Sequence, residues 1–317
     1  RDNRLESSTS GMTALLFGTL NLFASVSIIL VNKQIVSVCG FHFILTLLFL
    51  NFLCTCSLLE VLAFTGCVEE KQLPVRDRGL LAVTAVLTVL LNNASCEANS
   101  VGFYQITKLL IIPTVIFIER FGGVVRSYSY GVVCSLLVAS TGVAVASVSD
   151  FEVNTRGTML AALSILSTAQ YQVWQGSKQH EHGLSALQIT HSVSRPQTAV
   201  ALLATCIFDV RFPQLKDWML LRSGGLLDHQ WQSQSDIHWI IGCCAIAVVM
   251  NISTYGLLGK ASPVTYQVIG QMKTCLITVF GYVFFDVKVP PTWLMVRFGG
   301  VGIAVVGITT YAILKAE

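Results

Sequence analysis

Charge is what this chain has least of. Only 12% of its 317 residues are Asp, Glu, Lys or Arg, which is about half of the roughly 25% found in soluble domains. The hydrophobic content of 53% and the mean hydropathy of +0.68 point the same way. A chain with so little surface charge is expected to have lipid, not water, as its main solvent. The composition therefore predicts an integral membrane protein.

Features typical of several other functions are missing as well. The net charge is +3 and no five like charges follow one another, so we expect no nucleic-acid partner. The ten cysteines and the histidines do not have the spacing of a tetrahedral metal site, and we expect neither a metal nor another cofactor. There is no phosphate loop of the form G-x-x-x-x-G-K-[ST], which excludes ATP-driven pumping by this chain. No constellation of catalytic residues lies within the apolar stretches, so no enzyme is predicted.

Apolar stretches of about twenty residues cover most of the chain. Each is long enough to cross roughly 30 Å of hydrocarbon, where a helix satisfies its own backbone hydrogen bonds. Alternating strands of the kind that form membrane barrels are absent. The pattern predicts an all-α membrane fold of about ten transmembrane helices. The predicted spans are 11–31, 41–65, 79–97, 99–118, 128–148, 157–176, 187–208, 237–258, 263–285 and 292–314.

The loops between these spans indicate an orientation. An even number of spans places both termini on one side of the membrane, and Lys and Arg are more frequent in the short loops of that side. The excess of positive charge predicts a multi-pass protein with both termini in the cytosol. One connection, 209–236, is long and polar, and is predicted to be a loop.

A short similarity relates the two halves of the chain. Asn99–Lys108 begins the fourth predicted helix, and Ser262–Lys273 begins the ninth, five helices later. An odd offset inverts one half relative to the other, and inverted repeats are typical of transporters that bind a solute at the midplane. We therefore expect two five-helix repeats, 1–148 and 149–317, in one membrane domain.

Three cations fall near the centres of predicted spans: Lys108, Arg195 and Lys273. A charge at a helix centre costs roughly 2.5 to 3.5 kcal/mol on insertion scales, and no carboxylate is expected at the same depth to neutralise these three. Their depth also argues against snorkelling to the interface. We predict that the lysines bind an anion such as a phosphate or diphosphate. For Arg195, which precedes Pro196, an interhelical hydrogen bond to a backbone carbonyl is an equal alternative.

Neutral side chains accompany the cations. Tyr104 lies one turn before Lys108, and Tyr266 shares a helix face with Lys273. These rings are suited to stack on a base or to cover a sugar. Asn99 and Asn251 are further candidates for substrate contact, with hydrogen bonding between helices as the alternative.

Glycines recur in two of the predicted spans. Gly299, Gly300, Gly302 and Gly307 lie in the last one. Gly131 and Gly142 lie in the fifth. Small residues permit close helix packing, so these positions are expected to form helix contacts within the chain or a homodimer interface.

Four blocks of the sequence resemble a known family: Val31–Lys33, Asn99–Lys108, Tyr171–His180 and Ser262–Thr274. Together they are similar to the nucleotide-sugar and triose-phosphate transporters of the drug/metabolite transporter superfamily, in solute carrier subfamily E. The resemblance implies the drug/metabolite transporter fold, with ten helices in two inverted halves. It also implies that Lys108 and Lys273 hold the phosphate of the substrate.

The residue after the second lysine narrows the expectation. Sugar-phosphate exchangers of this family have Arg there, whereas Lys273-Thr274 resembles the members that carry UDP-sugars. The resemblance implies antiport of a UDP-sugar, such as UDP-galactose, UDP-xylose or UDP-rhamnose, into the Golgi or endoplasmic reticulum lumen in exchange for UMP. The alternative is an exchanger of sugar phosphate or phosphoenolpyruvate for phosphate. The expected substrate-binding residues are Lys108, Lys273, Thr274, Tyr104, Tyr266, Asn251, Asn99 and Arg195.

Overall fold

The computed structural model describes residues 2–122, 128–147, 155–211, 226, 234–284 and 291–316. In this part of the chain every long element is a helix and there is no strand. The helices are α1 (Asp2–Ser37), α2 (Ile44–Phe64), α3 (Val75–Ala98), α4 (Val101–Leu109), α5 (Ile111–Phe121), α6 (Tyr130–Ser147), α7 (Thr155–Glu181), α8 (Ala186–Ala204), a π-helical segment (Thr205–Arg211), α9 (Gln234–Lys260), α10 (Pro263–Phe284) and α11 (Pro291–Ala316).

Six of the described helices are long and apolar enough to cross a membrane. Many of their large apolar side chains are exposed, for example Met12 and Leu15 on α1 and Val306 on α11, as expected for surfaces that contact lipid. The chain is therefore an all-helical, multi-pass membrane protein, as its composition predicts. The six spans are Met12–Val36, Ile44–Phe64, Val75–Ala98, Tyr130–Ser147, Asp236–Lys260 and Leu294–Lys315.

The fourth predicted span is not one continuous helix. Helix α4 ends at Leu109 and α5 begins at Ile111. Pro113 explains the break, because it has no N–H to donate to the carbonyl of Leu109 four residues earlier. Leu110 instead donates its backbone N–H to the carbonyl of Thr107 at 3.0 Å. The interruption places Lys108 in the last turn of a short helix.

Other helix ends either agree with the bounds predicted from the sequence or lie beyond them. The predicted boundary between the third and fourth spans is confirmed: α3 ends at Ala98, and the side chain of Ser100 caps α4 by accepting a hydrogen bond from Phe103 N. Helix α1 is longer than the predicted span 11–31 and includes Val31–Lys33. Hydropathy marks the apolar part of a helix and not its polar ends.

The predicted loop 209–236 is helical at both ends. The π-helical segment continues to Arg211 and α9 begins at Gln234, whereas 212–225 and 227–233 lie outside the described residues. Asp209 is fully buried in this segment. Its Oδ2 accepts hydrogen bonds from the backbone N and Oγ1 of Thr46, at 2.9 and 2.6 Å. The carboxylate thus satisfies an amide in the first turn of α2.

The helices form two compact units. The first comprises Arg1–Glu97 and Trp174–Ser262, and the second comprises Ala98–Val173 and Pro263–Glu317. Each unit takes helices from both halves of the sequence. The division into repeats 1–148 and 149–317 concerns sequence symmetry, not contacts, and it stays a prediction.

Glycines bring α6 and α11 together within the second unit. A Cβ on Gly142 would lie 2.2 Å from the backbone N of Ala304, and one on Gly307 would lie 2.3 Å from that of Ala139. Gly300 packs against Ala146 in the same way. These glycines therefore form an interface within the chain and not the dimer interface offered as an alternative. A homodimer through other residues stays a prediction.

Candidate functional site

Lys108 and Tyr104 form the first half of the candidate site. Both side chains are half-buried on α4, and one helical turn separates them. The Nζ of Lys108 lies 4.3 Å from the centroid of the Tyr104 ring, within the range of a cation–π interaction. No carboxylate of the described residues pairs with Lys108. Its charge is thus held by an aromatic face, which leaves its N–H groups available to an anion.

Lys273 and Tyr266 repeat this arrangement on α10. The Nζ of Lys273 lies 5.3 Å from the centroid of the Tyr266 ring. Gly270 lies between them on the same helix face, and a Cβ there would meet only Gln267 Oε1, at 3.8 Å. The helix face between the ring and the ammonium group therefore has room beside it in the part of the chain that the structure describes.

The two lysine–tyrosine pairs belong to the second unit. Both lysines are positively charged, and Lys108 is one of the groups whose charge acts on Lys273. Two ammonium groups in this relation, each beside an aromatic ring, are suited to an anion with several oxygens. A phosphate or diphosphate would accept hydrogen bonds from both lysines and remove the repulsion.

Neutral hydrogen bonds fix the rotation of α10. Gln267 Nε2 donates to Gln172 Oε1 on α7 at 2.7 Å, and Gln271 Nε2 donates to Ser140 Oγ on α6 at 2.8 Å. The hydroxyl of Thr274 donates to the carbonyl of Gly270 at 3.2 Å. The hydroxyl proton of Thr274 is therefore used within its own helix, while the two glutamines hold the lysine-bearing helix in place.

The two candidate asparagines make contacts between elements. Asn99 is buried, and its Nδ2 donates to the carbonyl of Gly157 on α7 at 3.0 Å. Asn251 lies in the first unit and donates from Nδ2 to Thr55 Oγ1 on α2 at 2.9 Å. Of the two roles left open for these residues, hydrogen bonding between helices is the one the structure displays.

Arg195 has a carboxylate partner that the sequence analysis missed. Its Nη2 lies 2.5 Å from Glu60 Oε2 on α2, and its Nε donates to Glu60 Oε1. The buried His191 also lies close, with Nε2 3.4 Å from Glu60 Oε1. The expectation that no carboxylate neutralises Arg195 is wrong, because α2 and α8 are neighbours in the fold. Glu60 could have been found from the sequence, since it is an ionisable residue within the predicted span 41–65.

Comparison with known proteins agrees with this architecture. Residues 12–312 match the model of the Triose-phosphate Transporter family. The chain belongs to this family. The resemblance predicted from the four sequence blocks is thereby confirmed, and the match includes both lysine–tyrosine pairs.

Curated relatives in the Triose-phosphate Transporter family are similar over most of the chain. UDP-xylose transporter 3 of Arabidopsis thaliana is 33% identical over 294 residues, which cover 93% of this chain and 78% of the relative. UDP-rhamnose/UDP-galactose transporter 2 of the same plant is 32% identical over 297 residues, covering 92% and 80%. A solved crystal structure matches with a TM-score of 0.66 over 93% of this chain and 96% of the other, at 14% identity. That structure shares the fold.

Proposed function

We propose that this member of the Triose-phosphate Transporter family is a nucleotide-sugar antiporter. It carries a UDP-sugar, such as UDP-xylose, UDP-galactose or UDP-rhamnose, into the Golgi or endoplasmic reticulum lumen in exchange for UMP. The observation that carries the proposal is the pairing of Lys108 with Tyr104 and of Lys273 with Tyr266 in one unit. Relatives named as UDP-sugar transporters support the choice of substrate.

The site chemistry suits both exchanged molecules. A UDP-sugar and UMP each bring phosphate to the two lysines, and each brings a uracil ring that can stack against tyrosine. Asn99, Asn251 and Arg195 already have protein partners. We therefore assign binding of the phosphate to Lys108 and Lys273. The hydroxyl oxygen of Thr274 lies next to this site in sequence. Asn99, Asn251 and Arg195 are assigned a supporting role through their contacts with other residues of the protein.

The positive charges of Lys108 and Lys273 favour exchange over one-way transport. Without an anion, the carrier would have to change conformation with two like charges in one unit and in a medium of low dielectric constant. A bound phosphate removes that repulsion. Loaded carriers therefore reorient more readily than empty ones, which couples entry of the nucleotide sugar to exit of UMP by alternating access.

We further propose ten spans in two inverted five-helix repeats, with both termini in the cytosol. To the six apolar helices we add four further spans: the interrupted pair α4 and α5, which counts as one span, and the helices α7, α8 and α10. Each of these four spans carries an ionisable or amide side chain that lowers its mean hydropathy. These side chains are Lys108, Gln172, Arg195 and Lys273. Polar spans of this kind are the ones expected to line a solute path.

A second candidate is an exchanger of sugar phosphate or phosphoenolpyruvate for phosphate. The description of the family model favours it, since it names triose phosphate. Thr274 disfavours it, because a neutral hydroxyl bonded to its own helix stands where a further cation would assist a small, highly charged substrate.

Transport by the purified protein in liposomes separates the two candidates. Vesicles are preloaded with UMP, GMP, CMP or inorganic phosphate, and uptake of labelled UDP-xylose, UDP-galactose and triose phosphate is measured. The proposal predicts UDP-sugar uptake that depends on internal UMP. Uptake of triose phosphate driven only by internal phosphate would establish the second candidate instead.

A further inference from the structure

The first unit contains a cavity of about 780 Å³ that the proposed function does not use. Its walls come from Thr13 and Phe17 on α1, from residues 179, 180 and 183–188 at the junction of α7 and α8, and from the end of α9. These parts of α1 and α9 are the ends of the candidate spans Met12–Val36 and Asp236–Lys260. The cavity therefore lies where the membrane meets water.

Gln179 supplies a buried polar group to this cavity. Its side chain is 5% exposed and its Nε2 donates to the carbonyl of Leu184 at 3.4 Å. Its Oε1 is buried and accepts no hydrogen bond from the described residues. The backbone of Gly259 packs directly on the amide, since a Cβ there would lie 2.2 Å from Nε2. A fixed, buried acceptor without a donor is costly unless a ligand supplies one.

One lysine among the lining residues of the cavity that the structure describes remains available for a ligand. Lys260 lines it at the end of α9, is exposed, and pairs with no carboxylate of the described residues. No Asp or Glu is among the lining residues. Ser185 and Gln188 also line it, but they are bonded to each other in a capping box. The groups offered to a ligand thus include an ammonium group and an amide oxygen, beside the exposed imidazole of His180.

The lysine beside the cavity, Lys178, already has carboxylate partners. Lys178 Nζ lies 2.9 Å from Glu181 Oε2 and 3.3 Å from Asp77 Oδ2. These carboxylates raise the pKa of Lys178. Lys178 is therefore occupied, which leaves Lys260 as the lysine that would meet an anion here.

The remaining wall is apolar and continues onto the lipid-facing surface. Phe17 packs on the backbone of α9 at Gly256, where a Cβ would lie 2.4 Å from the ring. On the same helix, Met12 and Leu16 are 68% and 55% exposed. A ligand that fits has an anionic group, a hydroxyl or N–H donor, and a long apolar part. A free sugar phosphate lacks the last of these.

The geometry points to a binding site for an anionic glycerophospholipid with a hydroxylated headgroup. The lipid phosphate pairs with Lys260, a headgroup hydroxyl donates to Gln179 Oε1, and the acyl chains lie against Phe17 and the exposed apolar side of α1. This site is independent of the lysine–tyrosine pairs that the proposed function uses.

Native mass spectrometry of the detergent-purified full chain tests the assignment. The protein is titrated with phosphatidylinositol, with phosphatidylcholine and with soluble glycerophosphoinositol. Phosphatidylinositol should bind about tenfold more tightly than either comparison compound. Gln179→Met and Lys260→Met should each lower its binding about tenfold, whereas Lys71→Met, which removes an exposed lysine outside the cavity, should not.

Two controls keep the test decisive. Gln179→Met removes a buried acceptor that lacks a donor and, with it, the long hydrogen bond to Leu184, so its unfolding temperature without lipid should stay close to that of the wild type. Lys260 is exposed, so its substitution should leave the fold intact. Equal binding of phosphatidylinositol and phosphatidylcholine, or wild-type binding in both variants, would overturn the proposal. Glycerophosphoinositol binding as tightly as the lipid would replace it with a site for a soluble phosphate.

Discussion

The three cations that the sequence singles out have different surroundings. Lys108 and Lys273 lie beside tyrosine rings, and their like charges repel. Arg195 already has both oxygens of Glu60 as partners. The ligand role of the two lysines stays a prediction, made from their central position in apolar stretches of the sequence. The ion pair could not be predicted from spacing, since its partners are 135 residues apart in the chain.

Arg195 should therefore affect stability more than substrate binding. We expect Arg195→Ala to keep UMP affinity within about threefold of the wild type, because the guanidinium is held by Glu60. Glu60 and Arg195 side chains are 34% and 54% exposed, so a double-mutant cycle of unfolding free energies with Glu60→Gln should give a coupling of about 1 kcal/mol. Loss of UMP binding in Arg195→Ala, with the fold retained, would show that Arg195 contacts the substrate.

At the scale of helices, the apolar stretches predicted where the helices lie but not where a helix is interrupted or becomes π-helical. Hydropathy averaged over about twenty residues cannot detect a backbone interruption of one residue, so the break at Leu110 was missed. The π-helical continuation to Arg211 was missed because Asp209 looks like a loop residue until its contact with Thr46 is known. The first feature depends on a local backbone hydrogen bond, and the second depends on a contact between residues that are distant in sequence.

The break in the fourth span can be tested at Pro113. Pro113→Ala restores the N–H that can bond to the carbonyl of Leu109, and interior proline costs about 3 kcal/mol in a helix. We expect a higher unfolding temperature together with slower UDP-sugar exchange, because a continuous helix reorients Lys108. Pro263→Ala is the matched control: Pro263 is the first residue of α10, where its missing N–H matters little. Equal effects of both substitutions on exchange would contradict the role given to the break.

The contact between α6 and α11 leads to a second prediction at the scale of helices. Gly142→Ala places a methyl group against the backbone of Ala304 and should lower the unfolding temperature. Gly299 lies on the same helix as Ala304, but a Cβ there meets nothing within 4 Å. Gly299→Ala should therefore stabilise the protein by roughly 0.5 to 1 kcal/mol, the ordinary gain of alanine over glycine in a helix. The same change of unfolding temperature in the Gly142→Ala and Gly299→Ala variants would show that α6 and α11 are not in close contact.

At the scale of the whole molecule, the fold and the charges together favour exchange. A membrane protein with few charges retains two lysines that repel each other within one unit. Under the proposed function, an anion that neutralises them makes movement between the two sides of the membrane easier, so each direction of transport is expected to need a phosphate-bearing substrate. Family membership and the curated relatives agree with a nucleotide sugar as one passenger.

The most direct test is UMP binding to the purified wild type and to Lys108→Gln and Lys273→Gln, measured by calorimetry. Lys71→Gln serves as the control for loss of one exposed charge. We predict that each central lysine variant remains folded and binds UMP at least about tenfold more weakly, since a charged hydrogen bond is lost, while the control binds like the wild type. Wild-type affinity in both central variants would contradict the assignment of the phosphate to these two lysines.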